Sequence, residues 1–276
     1  MAGTRTIPRV LSIAGSDSGG GAGIQADLKA FVACRVHGMT AITAITAQNT
    51  VGVTGVHTIP PEMILAQVRA VADDIGVDAI KIGMLGNTQT IEAVAQALDE
   101  LGAGPHAGST PVVLDPVMIA ESGARLLEPE ARAALIELLL PRATMLTPNV
   151  PEARALLDPE EAGPADDDAP ALARAVRRLG PAIVIVTGGH RASATDVFFD
   201  GSTLVEIPGE RYPDGAAHGS GCTHSSVLAA RLAWGDEPVQ AARRAKEMAA
   251  AAVRHGLVGI GAGPGPVDVI GLSQGS

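Results

Sequence analysis

Short runs of β-branched and aliphatic residues alternate with longer amphipathic stretches, rich in alanine and leucine, along most of the chain. The short runs have the length of buried strands, and the longer stretches have the apolar spacing of helices. Regular alternation of the two is typical of a parallel sheet with helices on both faces. We therefore predict an α/β fold with strands at residues 10–15, 40–47, 79–83, 111–117, 143–148 and 182–189.

The predicted helices lie between and after these strands, and several begin with proline or threonine, which suit a helix start. They cover residues 22–36, 61–75, 88–101, 129–140, 169–179, 222–234 and 237–255. Residues 195–200 and 202–208 flank a turn and predict an antiparallel hairpin. The acidic segment 158–170 is typical of a solvated loop, and since no linker divides the chain we expect a single domain over residues 1–276.

Composition and charge narrow the function. Hydrophobic residues make up 46% of the 276 residues and aromatic residues only 2%, so the core must consist of alanine, valine, isoleucine and leucine. The net charge of −10 disfavours nucleic acid and anionic membranes as partners and favours small molecules. Two cysteines are too few for a disulfide framework, and the N-terminal apolar run is too short for a signal peptide or membrane span, so we expect a cytoplasmic protein.

Glycine-rich and polar segments follow the predicted strands, where ligands bind in open α/β sheets. The segment GSDSGGGAGIQAD, residues 15–27, contains five glycines, which close approach of the backbone to a ligand explains better than a flexible turn. It has neither the GxGxxG spacing of dinucleotide sites nor a Walker ending. Asp27 could face this site or be a solvated helix residue, and Gln48 could pair with a heterocycle or with a loop backbone.

A second small-residue turn, AHGSGC at residues 217–222, precedes a predicted helix. Unpaired N–H groups and the helix dipole make such a turn an anion site, and phosphate is the leading candidate. Cys222 stands at the helix start, where we expect the thiol pKa to be lowered. Cys222 could act as a general base on a substrate hydroxyl, as a covalent nucleophile, or as a packed small side chain.

Two carboxylates should meet at the same edge of the sheet. Asp115 ends one predicted strand and Glu152 follows the next, and such oxygen ligands suit Mg2+ held mostly through water at a nucleotide site. Each could instead be a helix cap or loop residue. We interpret His190 and His218 as hydrogen-bonded loop residues rather than acid–base groups, and Cys34 as a packed thiol.

Together, seven motifs resemble the hydroxymethylpyrimidine and phosphomethylpyrimidine kinases of thiamin biosynthesis, in the same order and over nearly the whole chain. The motifs are AGSDSGGGAGIQADLKAF, TAITAQNTVGV, KIGMLG, VVLDPVM, LTPNVPEA, TGGH and HGSGCTHSS. The resemblance implies the ribokinase-like fold, a central mostly parallel β-sheet flanked by helices on both faces. It also implies ATP and Mg2+ as cofactors and leads us to expect a homodimer.

The resemblance further assigns roles to single positions. For the pyrimidine pocket these are Gly15, Asp27, Gln48 and Met84, with Gln48 at the amino and ring-nitrogen edge. For phosphoryl transfer, the resemblance implies that Cys222 is the catalytic residue, at the position where sugar-kinase relatives carry the base aspartate. The other implied roles are the anion hole (Gly219, Ser220 and Gly221), the metal site (Asp115 and Glu152) and the ATP site (Thr187 and Gly189).

Four positions depart from the family pattern: Thr187 and Glu121 where lysine is usual, and Ala217 and Ser220 where threonine is usual. Loss of a lysine near the phosphates puts ATP affinity or the second phosphorylation in question, and Arg191 is a candidate replacement. The alternatives to a pyrimidine kinase are a pyridoxal kinase of the same cysteine-bearing type and a relative that binds the pyrimidine without transfer. A thiol hydrolase is disfavoured because no histidine stands in a nucleophile elbow.

Overall fold

The computed structural model describes residues 6–120, 123–158, 168–189 and 194–274. The strands are β1 (Arg9–Ala14), β2 (His37–Ile42), β3 (Ala44–Asn49), β4 (Gly52–Thr58), β5 (Ala79–Ile82), β6 (Val112–Leu114), β7 (Met145–Leu146), β8 (Ile183–Val186), β9 (Asp196–Phe199) and β10 (Leu204–Ile207). The helices are α1 (Gly23–Ala33), α2 (Pro61–Asp74), α3 (Thr88–Leu101), α4 (Ala131–Ala134), α5 (Val150–Leu156), α6 (Ala169–Arg177), α7 (Ser220–Ala233) and α8 (Pro238–Arg254).

An eight-stranded sheet forms the centre of the molecule, in the order β10-β9-β8-β7-β6-β5-β1-β2. From β2 to β8 every neighbouring pair is parallel, whereas β9 runs antiparallel to both β8 and β10. The predicted α/β fold and the predicted hairpin are thus confirmed.

Helices cover both faces of this sheet, and the side chains of β1 show how the two layers form. Leu11 and Ile13 pack in the layer formed with α2 to α6, while Val10 packs in the layer formed with α1, α7 and α8. Because both faces are buried, the central strands are apolar along their whole length. Polar exceptions include Ser12 in β1 and Lys81 in β5, both of which are 0% exposed.

The prediction of one strand over residues 40–47 is wrong, because β2 ends at Ile42 and β3 begins at Ala44. Thr43 lies between them, buried, and donates hydrogen bonds from its backbone to Ala14 and from its hydroxyl to Met84. The chain leaves the central sheet there, and β3 pairs with β4 in a separate two-stranded sheet. Most of β4 is exposed, so it lacks the apolar run that marks a buried strand.

Other differences lie at the helices. Helix α5 was not predicted, and the helix predicted at 129–140 begins at Ala131 and continues as a π-helical turn, Leu135–Leu139. Of the predicted acidic loop, residues 159–167 lie outside the described residues, and Asp168 caps α6. In the described part of the chain no helix is both long and apolar enough to cross a membrane.

Candidate active site

Two glycine-rich turns meet at the carboxyl edge of the central sheet. The first turn, residues 15–22, follows β1, and the second turn, residues 217–221, leads into α7. Gly219 has a φ of 84°, and a Cβ there would overlap the carbonyl oxygen of Gly21. A Cβ on Gly21 would in turn overlap the ring of His218. The turns can approach this closely only because glycine occupies both positions.

Asp17 and His218 join these two turns. The Asp17 carboxylate is 1% exposed, accepts hydrogen bonds from the N–H groups of Gly19, Gly21 and Ala22, and lies 3.0 Å from Nε2 of His218. Burial alone would raise the pKa of Asp17, but the hydrogen bonds from His218 and the backbone outweigh it and lower that pKa. The interpretation of His218 as a hydrogen-bonded loop residue is therefore confirmed.

The second turn leaves backbone donors free at the start of α7. Ser220 donates its N–H to the carbonyl of Ala217, but no described group accepts from the N–H of Gly221 or Cys222, and the helix has no side-chain cap. A Cβ on Gly221 would lie 4.0 Å from Oδ2 of Asp115. Free donors at a helix start suit an anion, and Asp115 stands beside them.

The thiol of Cys222, half-buried at the start of α7, has its pKa raised to about 12. Burial is the main cause, and the charges of Asp27 and Asp115 add to it, while Lys81 and the N–H of Gly23 act in the opposite direction. The expectation of a lowered pKa is wrong, because burial and two carboxylates outweigh Lys81 and the N–H of Gly23. In the free protein the thiol is protonated at neutral pH.

Beneath Cys222 lies a buried ion pair between Lys81 and Asp27. The Lys81 ammonium is 2.8 and 3.1 Å from the two Asp27 oxygens, and the hydroxyls of Ser12 and Ser226 donate to the same carboxylate at 2.6 and 2.7 Å. Burial opposes the charged form of Lys81, but Asp27, Cys222 and Asp115 together raise its pKa above the ordinary value. Lys81 therefore remains an ammonium ion.

Asp27, for which the resemblance implied a place in the pyrimidine pocket, is enclosed by protein in this structure. Its side chain is 0% exposed, and both oxygens are already hydrogen-bonded within the protein, so in this structure it does not form part of a pocket wall. Asp27 is instead the counter-ion of Lys81 and a support for α7, which carries Ser226.

Asp115 and Glu152 do lie close together. Asp115 is buried and Glu152 is half-buried, and burial is the first cause that raises each pKa. The charge of Asp115 further raises the pKa of Glu152, to about 8. Glu152 also caps α5, because its carboxylate accepts from the N–H of Asn149 at 2.9 Å while its own N–H donates to the Asn149 side chain. The cap and metal interpretations of Glu152 are therefore compatible.

The pair also has the chemistry of a magnesium site. Two neighbouring carboxylates whose charged forms are disfavoured gain from a divalent cation between them and the phosphates. Among the described residues no group of three or more His, Cys, Asp or Glu side chains is arranged to hold a metal. Mg2+ would thus be held by Asp115 and Glu152 and otherwise by water and phosphate.

The expected substrate residues stand around the first turn. Gly15 lies so close to Met84 that a Cβ would be 3.0 Å from its sulfur. The backbone N–H of Gln48 donates to the Ser18 hydroxyl at 2.8 Å, and that hydroxyl lies 2.6 Å from the Gln48 carbonyl. The end of β3 and the first turn are therefore tied together, and Gln48 is held next to the turn that contains Gly15.

The phosphomethylpyrimidine kinase family has a model that matches residues 17–268. The chain belongs to this family. A hydroxymethylpyrimidine/phosphomethylpyrimidine kinase of Rhizobium meliloti (strain 1021) is 48% identical over 260 residues, which cover 93% of this chain and 95% of that protein. The chain is thus a member of a family of kinases, and phosphotransfer is its reaction class.

Solved structures of related kinases confirm the ribokinase-like fold. The ADP complex of Bacillus subtilis pyridoxal kinase is 38% identical, with a TM-score of 0.83 over 97% of this chain and 100% of that chain. Staphylococcus aureus pyridoxal kinase in complex with AMP-PCP and pyridoxal is 32% identical, with a TM-score of 0.83 over 96% of this chain and 94% of that chain. Relatives of this kinase therefore bind adenine nucleotides in the same fold.

Two departures from the family pattern concern the positive charge around ATP. Thr187 follows β8, is half-buried, and donates its N–H to Pro148 at 2.9 Å, while Gly189 is exposed with open space around it. Lys246 of α8 is a cation near this segment, but it pairs at 2.7 Å with Asp196, which accepts the N–H of Gly188. Glu121, His190 and Arg191 lie outside the described residues.

Three residues of this kinase site escaped the sequence analysis: Lys81, Asp17 and Thr46. Lys81 gave a usable signal, since a lone lysine within the apolar run AIKIG needs a buried partner. Asp17 and Thr46 gave none, because their partners, His218 and Ser16, are separated from them by 201 and 30 positions.

Proposed function

We propose that the protein transfers the γ-phosphoryl group of ATP to the hydroxymethyl oxygen of 4-amino-5-hydroxymethyl-2-methylpyrimidine, here called the pyrimidine alcohol, and then phosphorylates the resulting monophosphate. These reactions supply the pyrimidine half of thiamin. The observation that carries the proposal is the pair of free N–H groups at Gly221 and Cys222, beside Asp115 and packed against the turn that contains Gly15. Family membership supports the same substrate class.

Phosphoryl transfer needs alignment and charge stabilisation more than covalent chemistry. The N–H groups of Gly221 and Cys222 donate to oxygens of the transferring phosphoryl group. Asp115 and Glu152 hold Mg2+, which supplies positive charge to the phosphate oxygens when bound. The new O–P bond forms as the bond to ADP breaks, and ADP leaves.

Cys222 receives the proton of the substrate hydroxyl. Only the thiolate can accept it, and the raised pKa makes the thiolate a minor species that increases with pH. Lys81 is the buried cation that favours this thiolate, since its charge lowers the Cys222 pKa. Asp27 keeps Lys81 in place and, through Ser226, holds the first turns of α7.

A pyridoxal kinase is the second candidate. The observation that favours it is the TM-score of 0.83 with two pyridoxal kinases, one of them solved with pyridoxal bound. Pyridoxal also carries a hydroxymethyl group on a six-membered ring, so the same transfer geometry would serve. The higher identity, 48%, is with a hydroxymethylpyrimidine/phosphomethylpyrimidine kinase, and it favours the pyrimidine.

Product analysis tests the proposal. Purified protein with ATP, Mg2+ and the pyrimidine alcohol should release ADP and yield the monophosphate and then the diphosphate, identified by mass spectrometry. Binding of the pyrimidine alcohol by calorimetry without ADP release would contradict the proposal and favour a non-catalytic relative. Light scattering on the same preparation tests the homodimer that we also propose.

A further inference from the structure

Thr46 contacts the side chain that we place at the edge of the pyrimidine ring. It lies in β3, is 3% exposed, and precedes Gln48 by two positions. Its hydroxyl oxygen is 2.8 Å from the carbonyl oxygen of Ser16 and 3.2 Å from Oε1 of Gln48. The backbone N–H of Thr46 donates to the Ser16 hydroxyl at 3.1 Å, which fixes Thr46 against the first turn.

The Thr46 hydroxyl has one proton and two acceptor neighbours. The Ser16 carbonyl is the nearer neighbour, and no other described group donates to it, so the proton goes to Ser16. An amide oxygen at 3.2 Å then faces only a lone pair of Thr46. Turning the Gln48 amide by 180° brings Nε2 to that lone pair, so that the Thr46 hydroxyl donates to the Ser16 carbonyl and accepts from Nε2. The orientation of a glutamine amide is assigned from the hydrogen-bond partners of its two ends.

We propose that Thr46 determines which ring edge the kinase accepts, by fixing the amide of Gln48 with Nε2 towards Thr46 and Oε1 away from it. Gln48 then presents an N–H donor on the side of Thr46 and an acceptor on the far side. A ring that fits must offer an acceptor and, next to it, a donor, as the ring nitrogen and amino group of the pyrimidine alcohol do. The inference rests on the proposed function, because it takes Gln48 as the residue that contacts the ring.

The 4-oxo counterpart of the pyrimidine alcohol reverses this edge, since its carbonyl accepts and its ring N–H donates. The experiment compares kcat/KM for the amino and oxo rings in wild type, Thr46→Val and Thr46→Ser. Valine keeps the shape but lacks the hydroxyl, so the amide can turn over and the preference for the amino ring should fall at least about tenfold. Serine keeps the hydroxyl and should retain the preference within about twofold of wild type.

Two results would overturn the inference. The first is a Thr46→Val variant, folded by thermal melting, whose preference equals that of wild type. The second is a Thr46→Val effect that persists when Gln48 is already alanine, because the effect should act only through Gln48. If wild type phosphorylates neither ring, the proposed function itself fails; turnover of the amino ring with an unchanged ratio in Thr46→Val rejects the role of Thr46 alone.

Discussion

At the scale of single residues, the chemistry of Cys222 depends on the balance between burial and charge. Burial, Asp27 and Asp115 raise its pKa to about 12, and Lys81 only partly offsets them. A cysteine in this position is therefore protected from ionisation in the free protein. Its activity as a proton acceptor must increase with pH.

The pH profile of turnover tests that role. Between about pH 7 and 9, below the thiol pKa of the free protein, the thiolate fraction rises about tenfold per pH unit, so kcat/KM should rise with pH in wild type. Cys222→Ala should fold normally, bind the pyrimidine alcohol, lose roughly 100-fold in kcat and show no such rise. A pH-independent kcat/KM in wild type, or unchanged turnover in the alanine variant, would contradict the base role.

Thr187 is one of the two residues that stand where the family resemblance leads us to expect a lysine. Thr187→Lys should lower KM for ATP by about tenfold, because a charged hydrogen bond to phosphate is stronger than a neutral one. Thr187→Gln, of similar length without the charge, is the matched control and should change KM little. Initial rates at varied ATP concentration give KM for each variant. Equal effects of the two substitutions on KM would show that the absent lysine charge does not limit ATP affinity.

At the scale of secondary-structure elements, α7 is anchored by two adjacent serines. Ser225 donates to Asp115 beyond β6, and Ser226 donates to Asp27 on α1. Asp27 in turn pairs with Lys81 of β5. The position of the anion site therefore depends on a buried charge network that spans three elements besides α7.

Breaking this network should be costly. Lys81→Met leaves Asp27 buried without a counter-ion, which should lower the free energy of unfolding by about 3–5 kcal/mol, and adding Asp27→Asn should restore part of the loss. Asp99→Asn, in the exposed pair with Arg142, is the control and should cost less than about 1 kcal/mol. Urea unfolding measures all three, and a Lys81→Met cost no larger than that of the control would refute the network.

The contribution of Asp17, which joins the two glycine-rich turns, to stability should depend on pH. The pKa of Asp17 is below the ordinary value of 3.8, so its ionised form stabilises the folded state above that pH, and the contribution is lost as pH falls through the folded pKa. The difference in unfolding free energy between wild type and Asp17→Asn should therefore be largest near neutral pH and shrink below about pH 4. Urea midpoints across this range measure it; a constant difference would show that the ionised carboxylate contributes nothing.

At the scale of the whole molecule, the sequence predicts the central sheet well and the exposed two-stranded sheet poorly. Strands such as β5 and β8 are buried on both faces, so their apolar runs identify them. Strand β4 is mostly exposed and contains two glycines. The separate sheet starts at Thr43, where the chain leaves the central sheet without a local sequence signal.

Site residues could be predicted from the sequence where a general rule gives their position. They could not be predicted where a buried partner, distant in the sequence, determines the burial or pKa of a side chain. Asp115 and Glu152 were placed by the rule that ligands bind at the carboxyl ends of parallel strands, and the second turn by the unpaired N–H groups that a small-residue turn leaves at a helix start. The burial of Asp27 depends on Lys81, and the raised pKa of Cys222 depends on burial and on the charges of Asp27 and Asp115. Nothing in the spacing of these residues along the chain indicates that they meet.

As a whole, the molecule is proposed to phosphorylate the pyrimidine alcohol in preference to pyridoxal. Coupled assays of ADP release with each ring, at matched ATP and Mg2+, give kcat/KM for both and test the claim directly. We expect a value at least about tenfold higher for the pyrimidine alcohol, the difference that one mismatched hydrogen bond at Gln48 produces. Equal or faster turnover of pyridoxal would contradict it.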